Sequence, residues 1–182
     1  MNVLSTPYFY FKYRAPNAGN FIEVLESHSE EQIDNSKFRW GEQCIVDTIP
    51  LKQGDYHDLL QPSLKLLGNE INSNFRYLMQ DPWLNCYKRG SFQEIHDHAG
   101  NDLSCVFFVN SCAGFSEFFF FDRNSALLSK PMKYLVNYEN ISKVEYEAGD
   151  ILFFPAHMLH GVTPHKSDIV RKTFSVNFNL DV

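Results

Sequence analysis

The sequence predicts a mainly β protein in which N-terminal helices precede a jelly roll. Short apolar runs separated by glycines follow one another over residues 83–179, a pattern typical of a β-sandwich or jelly roll. Aromatic residues, among them 17 Phe, make up 15% of the chain, which favours sheets over helical bundles. The 182 residues suffice for one hydrophobic core. We therefore expect a single domain over 1–182, with supporting elements in 1–82 and the jelly-roll core in 83–182.

The N-terminal part carries a strand signal followed by a polar stretch. Residues 5–14 alternate aromatic side chains with other residues, which predicts a strand. Residues 15–38 are rich in Asn, Ser and Glu and predict a loop, with one helical turn over 30–33. A second short apolar run, over 43–51, contains Pro50.

The pattern changes to a helical period over residues 55–79. Tyr56 and Leu60 belong to a set of apolar residues that recur at intervals of three and four. Pro62 and Gly68 interrupt this set, and a proline inside a helix removes one hydrogen bond and crowds the preceding turn. We therefore expect one or two shorter helices here in place of one long helix.

Short strands separated by turn residues follow from residue 83 onwards. Glycines punctuate these runs and mark the turns between them. Residues 123–140 are polar and predict a long loop at the rim of the fold. The predicted strands cover residues 83–88, 93–98, 103–110, 117–121, 142–146, 151–155 and 172–179.

The composition disfavours two classes of partner. The formal net charge is −6 and no run of Lys and Arg stands out, so the clustered positive charge of a nucleic-acid interface is missing. No apolar stretch approaches the ~20 residues that span a bilayer. Residues 1–14 lack the basic and apolar regions of a signal peptide. We therefore expect a cytoplasmic protein that binds neither nucleic acid nor membrane.

The four cysteines form no CxxC pair and no zinc-ribbon spacing. They are Cys44, Cys86, Cys105 and Cys112. Cys86 and Cys105 lie in apolar, strand-like runs, where buried free thiols are common. We expect ordinary core cysteines in a reducing cytoplasm, and no disulfides.

The seven histidines carry the clearest functional signal. His96 and His98 are two residues apart, and residues i and i+2 of a strand point to the same face, so both imidazoles can reach one metal ion. Asp97 then points the other way. A His-x-His pair alone is more often a coincidence on the surface than a metal site, so the interpretation depends on further histidines.

A second group of histidines lies farther along the chain, where the apolar run 151–154 meets Pro155. His157 and His160 follow this run, and either can supply a third imidazole on the pattern alone. Three imidazoles would leave positions on the metal open for water, a cosubstrate or dioxygen, as catalytic metal ions require.

Arg171 lies on the last strand-like run, with Thr173 and Ser175 on the same face. A lone arginine in a strand is usually a solvated charge. Beside a metal, its guanidinium offers a planar fork to a carboxylate, and Thr173 can add a further hydrogen bond. The open metal positions and Arg171 together suit a dianion that chelates the metal at one end and binds the guanidinium at the other.

A set of residues with a specific order and spacing covers a little over half of the chain. The set comprises Trp83, Asn85, Tyr87, Gly90, Gln93, His96 and His98, then the run 103–109, then Gly149, Asp150, Phe154, Pro155, His160 and Arg171. In these elements the chain resembles the iron(II)/2-oxoglutarate-dependent dioxygenases, and more closely a small branch with an HxH…H metal motif.

This resemblance implies a double-stranded β-helix, iron(II) as the metal and 2-oxoglutarate as cosubstrate. It also implies a hydroxylase that acts on a small molecule or a protein side chain. It favours His160 over His157 as the third ligand beside His96 and His98, with no catalytic side chain beyond the metal centre. The implied cosubstrate-binding residues are Arg171, which would take the distal carboxylate, Thr173, Tyr87 and Asn85.

His98 departs from the commoner form of the motif, His-x-Asp, in which a carboxylate is the second ligand. Three neutral imidazoles leave more positive charge on the ion than two imidazoles and one carboxylate. We expect weaker retention of iron, and we interpret His98 as the variant ligand of the small branch.

Two other functions compete with this one. The first is a three-histidine, cupin-like metalloenzyme that does not use 2-oxoglutarate, in which Arg171 would lose its role. The second is a non-catalytic jelly-roll binding module that keeps the fold without turnover.

Overall fold

The computed structural model describes residues 8–34, 46–123, 128–136 and 138–181. Within them the helices are α1 (Ala18–Glu26), α2 (Gln53–Glu70) and α3 (Lys130–Leu135), and Glu30–Gln32 form a 3-10 turn. The strands there are β1 (Phe11–Arg14), β2 (Asp47–Pro50), β3 (Arg76–Met79), β4 (Trp83–Tyr87), β5 (Gln93–His96), β6 (Leu103–Phe108), β7 (Phe118–Phe121), β8 (Ile141–Val144), β9 (Asp150–Pro155), β10 (His160–Val162) and β11 (Arg171–Asp181).

These strands form two antiparallel sheets. The larger sheet has the order β1-β9-β6-β11-β4-β2, and β3 extends it by pairing with the C-terminal end of β11. The smaller sheet has the order β5-β10-β7-β8. Strands that are distant in sequence pair with one another, as β6 does with β11 and β5 with β10. The predicted fold class, a mainly β jelly roll with N-terminal helices, is confirmed.

The outer face of the larger sheet is covered by α1 and α2. Phe21 of α1 stacks on Phe107 of β6, with ring centroids 4.3 Å apart, and meets Phe174 of β11 edge-on. Leu60 and Leu64 of α2 join the same buried cluster. Complete burial of each phenylalanine stabilises the fold by about 1.5–3 kcal/mol relative to exposure. The helices therefore hold the sheet from behind.

The inner face of the larger sheet carries polar side chains, because successive side chains of a strand point to opposite faces. In β11 three apolar residues pack towards the helices: Phe174, Val176 and Phe178. The polar residues that alternate with them face a cavity between the sheets: Arg171, Thr173, Ser175 and Asn177. A second buried cluster, which includes Phe108, Phe118 and Phe154, fills the rest of this interior.

Two predictions for the N-terminal half are wrong. The loop predicted over 15–38 contains α1, since Ala18, Phe21 and Leu25 form a narrow buried stripe among polar neighbours. The breaks predicted in the helical segment do not occur, and α2 runs for 18 residues through Pro62. An interior proline costs about 3 kcal/mol. Tyr56, Leu60, Leu64 and Leu67 are buried on both sides of it and offset that cost.

Other differences are local. Arg76–Met79 continue the predicted helical segment but form β3, because their pairing with β11 overrides the helical pattern. The predicted loop over 123–140 includes α3, whose first turn is capped by Ser129. No strand was predicted over the residues of β10. Residues 5–7 of the first predicted strand, and 43–45 of the second apolar run, lie outside the described residues.

The cysteines divide into two groups. Cys86 and Cys105 are buried free thiols, as predicted. Cys112 is also free but exposed, contrary to the expectation of a core cysteine, because it lies in the loop before β7 and not in a strand. Cys44 lies outside the described residues. None of the helices in the described ranges has the length and apolar character needed to cross a bilayer.

Candidate metal centre

Three of the predicted site residues converge at one end of the interior. The imidazoles of His96, His98 and His160 each offer a nitrogen, and these atoms lie within 4.8 Å of one another. The ring centroids are 4.3 Å apart for His96 and His160, 5.1 Å for His98 and His160, and 5.2 Å for His96 and His98. Three nitrogen atoms at this spacing can bind one divalent ion from one side.

Two of these histidines are placed by strand pairing. His96 is the last residue of β5 and His160 the first residue of β10, and the two are cross-strand partners. His98 lies beyond the strand, so the predicted strand over 93–98 is two residues too long. The backbone N–H of His98 donates to Ala156 O at 2.9 Å, which fixes it against the loop that follows β9. The loop, and not strand alternation, therefore brings His98 to the other two.

The hydrogen bonds of two rings determine which nitrogen carries the proton. His96 Nδ1 donates to Glu94 O at 2.7 Å, and His160 Nδ1 donates to Met158 O at 2.9 Å. A carbonyl oxygen can only accept, so Nδ1 carries the proton in both rings. Nε2 of each ring therefore carries the lone pair that a metal ion can bind, and the backbone contact holds each ring in orientation.

The electrostatics favour uncharged ligands. Burial, followed by the neighbouring His96 and His98, lowers the pKa of His160 well below its ordinary value. Burial also lowers the pKa of His96. For His98, burial and then His96 lower the pKa to about 4. At neutral pH all three rings are therefore neutral, which is the form that binds a metal.

The remaining candidates from the histidine-rich segments lie elsewhere. His157 is exposed and contacts the edge of Tyr8, with ring centroids 5.9 Å apart. His165 is buried, but its nitrogen atoms accept from Ser116 N and donate to Ile169 O, so it holds a loop in place. Asp97, the residue between the first two ligands, forms an ion pair with Arg123 at 3.7 Å.

A cavity between the two sheets extends from the three imidazoles. Arg171 and Tyr87 line it together with the histidines. Arg171 is the first residue of β11 and the cross-strand partner of Tyr87 in β4. Thr173 and Asn85, the next inward-facing pair of these strands, line the same cavity. All seven residues predicted for the site therefore border one space.

Arg171 is the most unusual of them, because its side chain is fully buried. Its guanidinium carbon lies 4.7 Å from the ring centroid of Tyr87, 5.2 Å from that of Tyr146 and 5.8 Å from that of Phe108. Among the described residues, neither Nη1 nor Nη2 has a hydrogen-bond partner. A buried cation with unused donors is strongly destabilising unless an anion pairs with it. The cavity thus fits a ligand with a carboxylate.

The other predicted residues contribute polar groups along the cavity. Asn85 Nδ2 donates to Thr173 Oγ1 at 3.3 Å and to Ser175 Oγ at 3.2 Å. The described residues supply no partner for Asn85 Oδ1. Tyr87 Oη donates to Gln93 Oε1 at 2.5 Å, so its phenol is directed to β5 while its ring covers the guanidinium.

Tyr146 is a site residue that the sequence did not reveal. It follows β8, and its hydroxyl accepts a hydrogen bond from Arg171 Nε at 2.6 Å. No motif marks it, since its contact with Arg171 spans 25 residues and depends on the packing of the two sheets. Phe118, which belongs to the aromatic run of β7, also lines the cavity.

The fold and the matched residues connect this chain to known proteins. Among solved structures of similar fold are an oxidoreductase of the 2OG-Fe(II) oxygenase family from Burkholderia pseudomallei, a prolyl-4-hydroxylase from Pseudomonas putida, and HygX from Streptomyces hygroscopicus with nickel and 2-oxoglutarate bound. Their identities to this chain are 11%, 12% and 12%, and the TM-scores are 0.65, 0.66 and 0.63. The matches cover 93%, 94% and 93% of this chain and 84%, 93% and 82% of the others.

At these identities the likeness shows the fold, a double-stranded β-helix. No curated protein matches the chain at a significant level. Residues 81–179 match the family described as "Putative 2OG-Fe(II) oxygenase", and they include the three clustered histidines and Arg171. This match spans more than half of the chain. The chain therefore belongs to the 2OG-Fe(II) oxygenases, enzymes that use iron(II) and 2-oxoglutarate.

Proposed function

We propose that this oxygenase is a hydroxylase in which His96, His98 and His160 hold iron(II) and Arg171 binds the distal carboxylate of 2-oxoglutarate. One observation carries the proposal. Three neutral imidazoles and the two unpaired guanidinium nitrogens of a fully buried arginine border the same cavity. A metal-chelating dianion satisfies both groups at once.

When bound, iron(II) and 2-oxoglutarate supply the activation of dioxygen, with succinate and carbon dioxide as the products of the cosubstrate. His96 and His160 would hold the metal through Nε2, since their Nδ1 protons are engaged by the backbone. Three protein ligands would leave positions on the ion open for exogenous ligands. No side chain needs to exchange a proton with the substrate in this assignment.

The cosubstrate residues act as donors along the cavity. Arg171 presents Nη1 and Nη2 to a carboxylate as a planar fork. Thr173 and Ser175 accept from Asn85 through their hydroxyl oxygens, so their own protons remain to be donated. Tyr87 contributes the face of its ring to the guanidinium and thereby limits where that group can lie.

Apolar side chains exclude water from the part of the cavity beside His160. Phe118 and Phe154 pack on His160 with ring centroids 5.4 Å and 4.9 Å away. Both are buried. A dry wall strengthens charge interactions inside the cavity and limits side reactions with water.

The proposal extends to the setting of the enzyme. We propose that residues 1–182 form one oxygenase domain, which is supported by the packing of α1 and α2 on the sheet that carries Arg171. A cytoplasmic location is supported by the buried free thiols Cys86 and Cys105. The substrate that we propose is a small molecule or a protein side chain, since the net charge of −6 disfavours nucleic acid.

The two alternative functions account for fewer features of the site. In a cupin-like enzyme without 2-oxoglutarate, the two unpaired nitrogens of Arg171 would have no partner. A non-catalytic module would need neither the neutral imidazoles nor the buried cation. Family membership favours the oxygenase over both.

Anaerobic titration separates these functions. The protein loaded with iron(II) is titrated with 2-oxoglutarate, and chelation is followed by the weak visible charge-transfer band that it produces. We expect a saturable band, and succinate release once air and a substrate are admitted. Iron binding without any band on addition of 2-oxoglutarate would support the cupin-like alternative, and a band without succinate for any substrate would support the binding module.

A further inference from the structure

The hydroxyl of Tyr146 links Arg171 to the backbone of the loop before β7. Arg171 Nε donates to Tyr146 Oη at 2.6 Å, and Tyr146 Oη donates to Ser116 O at 3.0 Å. Both directions follow from the chemistry, because a guanidinium can only donate and a carbonyl oxygen can only accept. One phenol therefore connects the start of β11 with the loop before β7.

The ring of Tyr146 is held as firmly as its hydroxyl. It stacks on Phe108 of β6 with ring centroids 3.9 Å apart and an interplanar angle of 11°. The same ring lies 5.2 Å from the guanidinium carbon of Arg171. Aromatic stacking of the ring and two hydrogen bonds at the hydroxyl, one accepted and one donated, leave the phenol little freedom to turn.

This contact determines where the free nitrogen atoms of Arg171 point. The guanidinium is planar and rigid, so fixing the Nε–H bond fixes the directions of Nη1 and Nη2 as well. Those two nitrogens are the ones with no partner among the described residues. The bond to Tyr146 uses the one N–H group that lies on the stem side of the guanidinium and leaves the fork available.

We propose that Tyr146 is a positioning residue for the cosubstrate, which sets the affinity for 2-oxoglutarate by holding Arg171 and does not itself touch the ligand. The proposal rests on the role of Arg171 proposed above. Without the hydroxyl, Arg171 Nε would be buried and unpaired, and the guanidinium would turn to find another acceptor. Nη1 and Nη2 would then be oriented towards the distal carboxylate in only a fraction of the molecules.

Tyr146→Phe is the sharpest variant, because it removes one oxygen atom and keeps the ring on Phe108. The protein is loaded with Zn(II) in place of iron(II), so that air does not consume the ligand, and 2-oxoglutarate binding is measured by calorimetry. We expect the Kd for 2-oxoglutarate to rise about five- to ten-fold. In the iron-loaded enzyme the KM for 2-oxoglutarate should rise by the same factor, with kcat at saturation and the affinity for the metal unchanged.

Two controls separate positioning from general loss of structure. Tyr13→Phe removes another hydroxyl that donates to a backbone carbonyl, that of Ser63, on the far side of the larger sheet. It should leave the Kd unchanged. The second control is 2-oxopentanoate, which has the carbon chain of the cosubstrate without its distal carboxylate. Tyr146→Phe should not alter its binding, whereas a damaged cavity would weaken both ligands.

A spectroscopic measurement reports on Arg171 directly. The Nε–H signal of this buried arginine is assigned in a ¹⁵N spectrum by its disappearance in Arg171→Lys. We expect this signal to shift in Tyr146→Phe and to stay in place in Tyr13→Phe. Phe108→Leu, which keeps the hydroxyl and removes its stacking partner, is a second variant and should weaken 2-oxoglutarate binding in the same direction.

The outcomes distinguish this inference from the function on which it rests. If Arg171→Lys leaves 2-oxoglutarate binding intact, the proposed role of Arg171 is wrong. If Arg171→Lys weakens binding while Tyr146→Phe and Phe108→Leu do not, positioning by Tyr146 is overturned and the role of Arg171 stands. An equal loss of affinity for 2-oxoglutarate and 2-oxopentanoate in Tyr146→Phe would also overturn it.

Discussion

His96 and His160 are direct cross-strand partners, and their ring centroids lie 4.3 Å apart. Side chains of paired residues in antiparallel strands point to the same face at close spacing. The pairing of β5 with β10 therefore brings two ligands together before any metal binds. His98 completes the set from a loop that is tied to Ala156.

The choice of the third ligand is tested by two matched histidine variants. His160→Ala should weaken metal binding by more than about a hundredfold, because loss of even an outer partner of a ligand costs up to that factor. His157→Ala should leave the affinity essentially unchanged, since this exposed ring lies outside the cluster. Competition with a coloured chelator gives both affinities. The reverse pattern would move the metal site to His157.

Removal of the guanidinium should separate cosubstrate binding from metal binding. Arg171→Ala should raise the 2-oxoglutarate concentration required for half-maximal turnover about ten-fold or more, since a charge-assisted pair contributes ~1.5–3 kcal/mol. The affinity for iron(II) should not change, because no atom of Arg171 belongs to the histidine cluster. Turnover is followed by succinate release, and metal binding by chelator competition. Collapse of metal binding would make Arg171 a structural residue.

Removal of the buried charge of Arg171 should weaken cosubstrate binding without destabilising the ligand-free protein. Arg171→Met keeps an unbranched side chain and removes a fully buried charge whose Nη atoms lack partners in the described residues. Replacing buried charges by apolar groups is often neutral or stabilising by about 1–4 kcal/mol. We expect the free energy of unfolding of the ligand-free protein, measured with urea, to stay level or rise. A clear decrease would show that the contacts of Arg171 with aromatic rings outweigh its desolvation.

The metal-free protein should lose stability in mild acid. The pKa values of His96, His98 and His160 are lowered mainly by burial, that of His98 to about 4, from an ordinary value of 6.5. Between these two values the unfolded chain takes up more protons than the folded one. The free energy of unfolding is therefore highest above pH 6.5 and falls as the pH drops towards about 4.

Urea unfolding at about pH 7.5 and about pH 5 measures this difference. His160→Gln removes one of the three groups and should show a smaller change between the two conditions. An identical change in the variant and the parent protein would assign the acid sensitivity to other residues.

Sequence patterns anticipated the strands better than the segments that pack on them. Alternation along β11 sufficed to place Thr173 on the same face as Arg171, whereas Asn85 was implied by the family resemblance. The same reasoning failed for α1, whose buried stripe is only Ala18, Phe21 and Leu25, and for Pro62, where packing on both sides outweighs a local penalty. Local patterns do not contain the sheet against which a helix will pack.

In the site, too, local patterns predict some residues, whereas tertiary packing places others. His96 follows from strand alternation and His160 from the spacing of the motif that carries the family resemblance, whereas His98 is placed by a loop that no period describes. Tyr146 lies between β8 of the smaller sheet and β9 of the larger sheet, and it reaches Arg171 through tertiary packing. Contacts between layers depend on tertiary packing, so a single sequence predicts the ligands more readily than the residues that support them.

One face of β11 packs against the helices and the other face lines the cavity, so the same strand contributes both to folding and to ligand binding. Because the faces alternate with a period of two, one inserted residue just before Phe174 would send the phenylalanines into the cavity and the polar groups into the helical layer. Stability and activity would be lost together. The effects of single substitutions in this strand should instead depend on the position. Substitutions at even-numbered residues should affect folding, and those at odd-numbered residues should affect ligand binding.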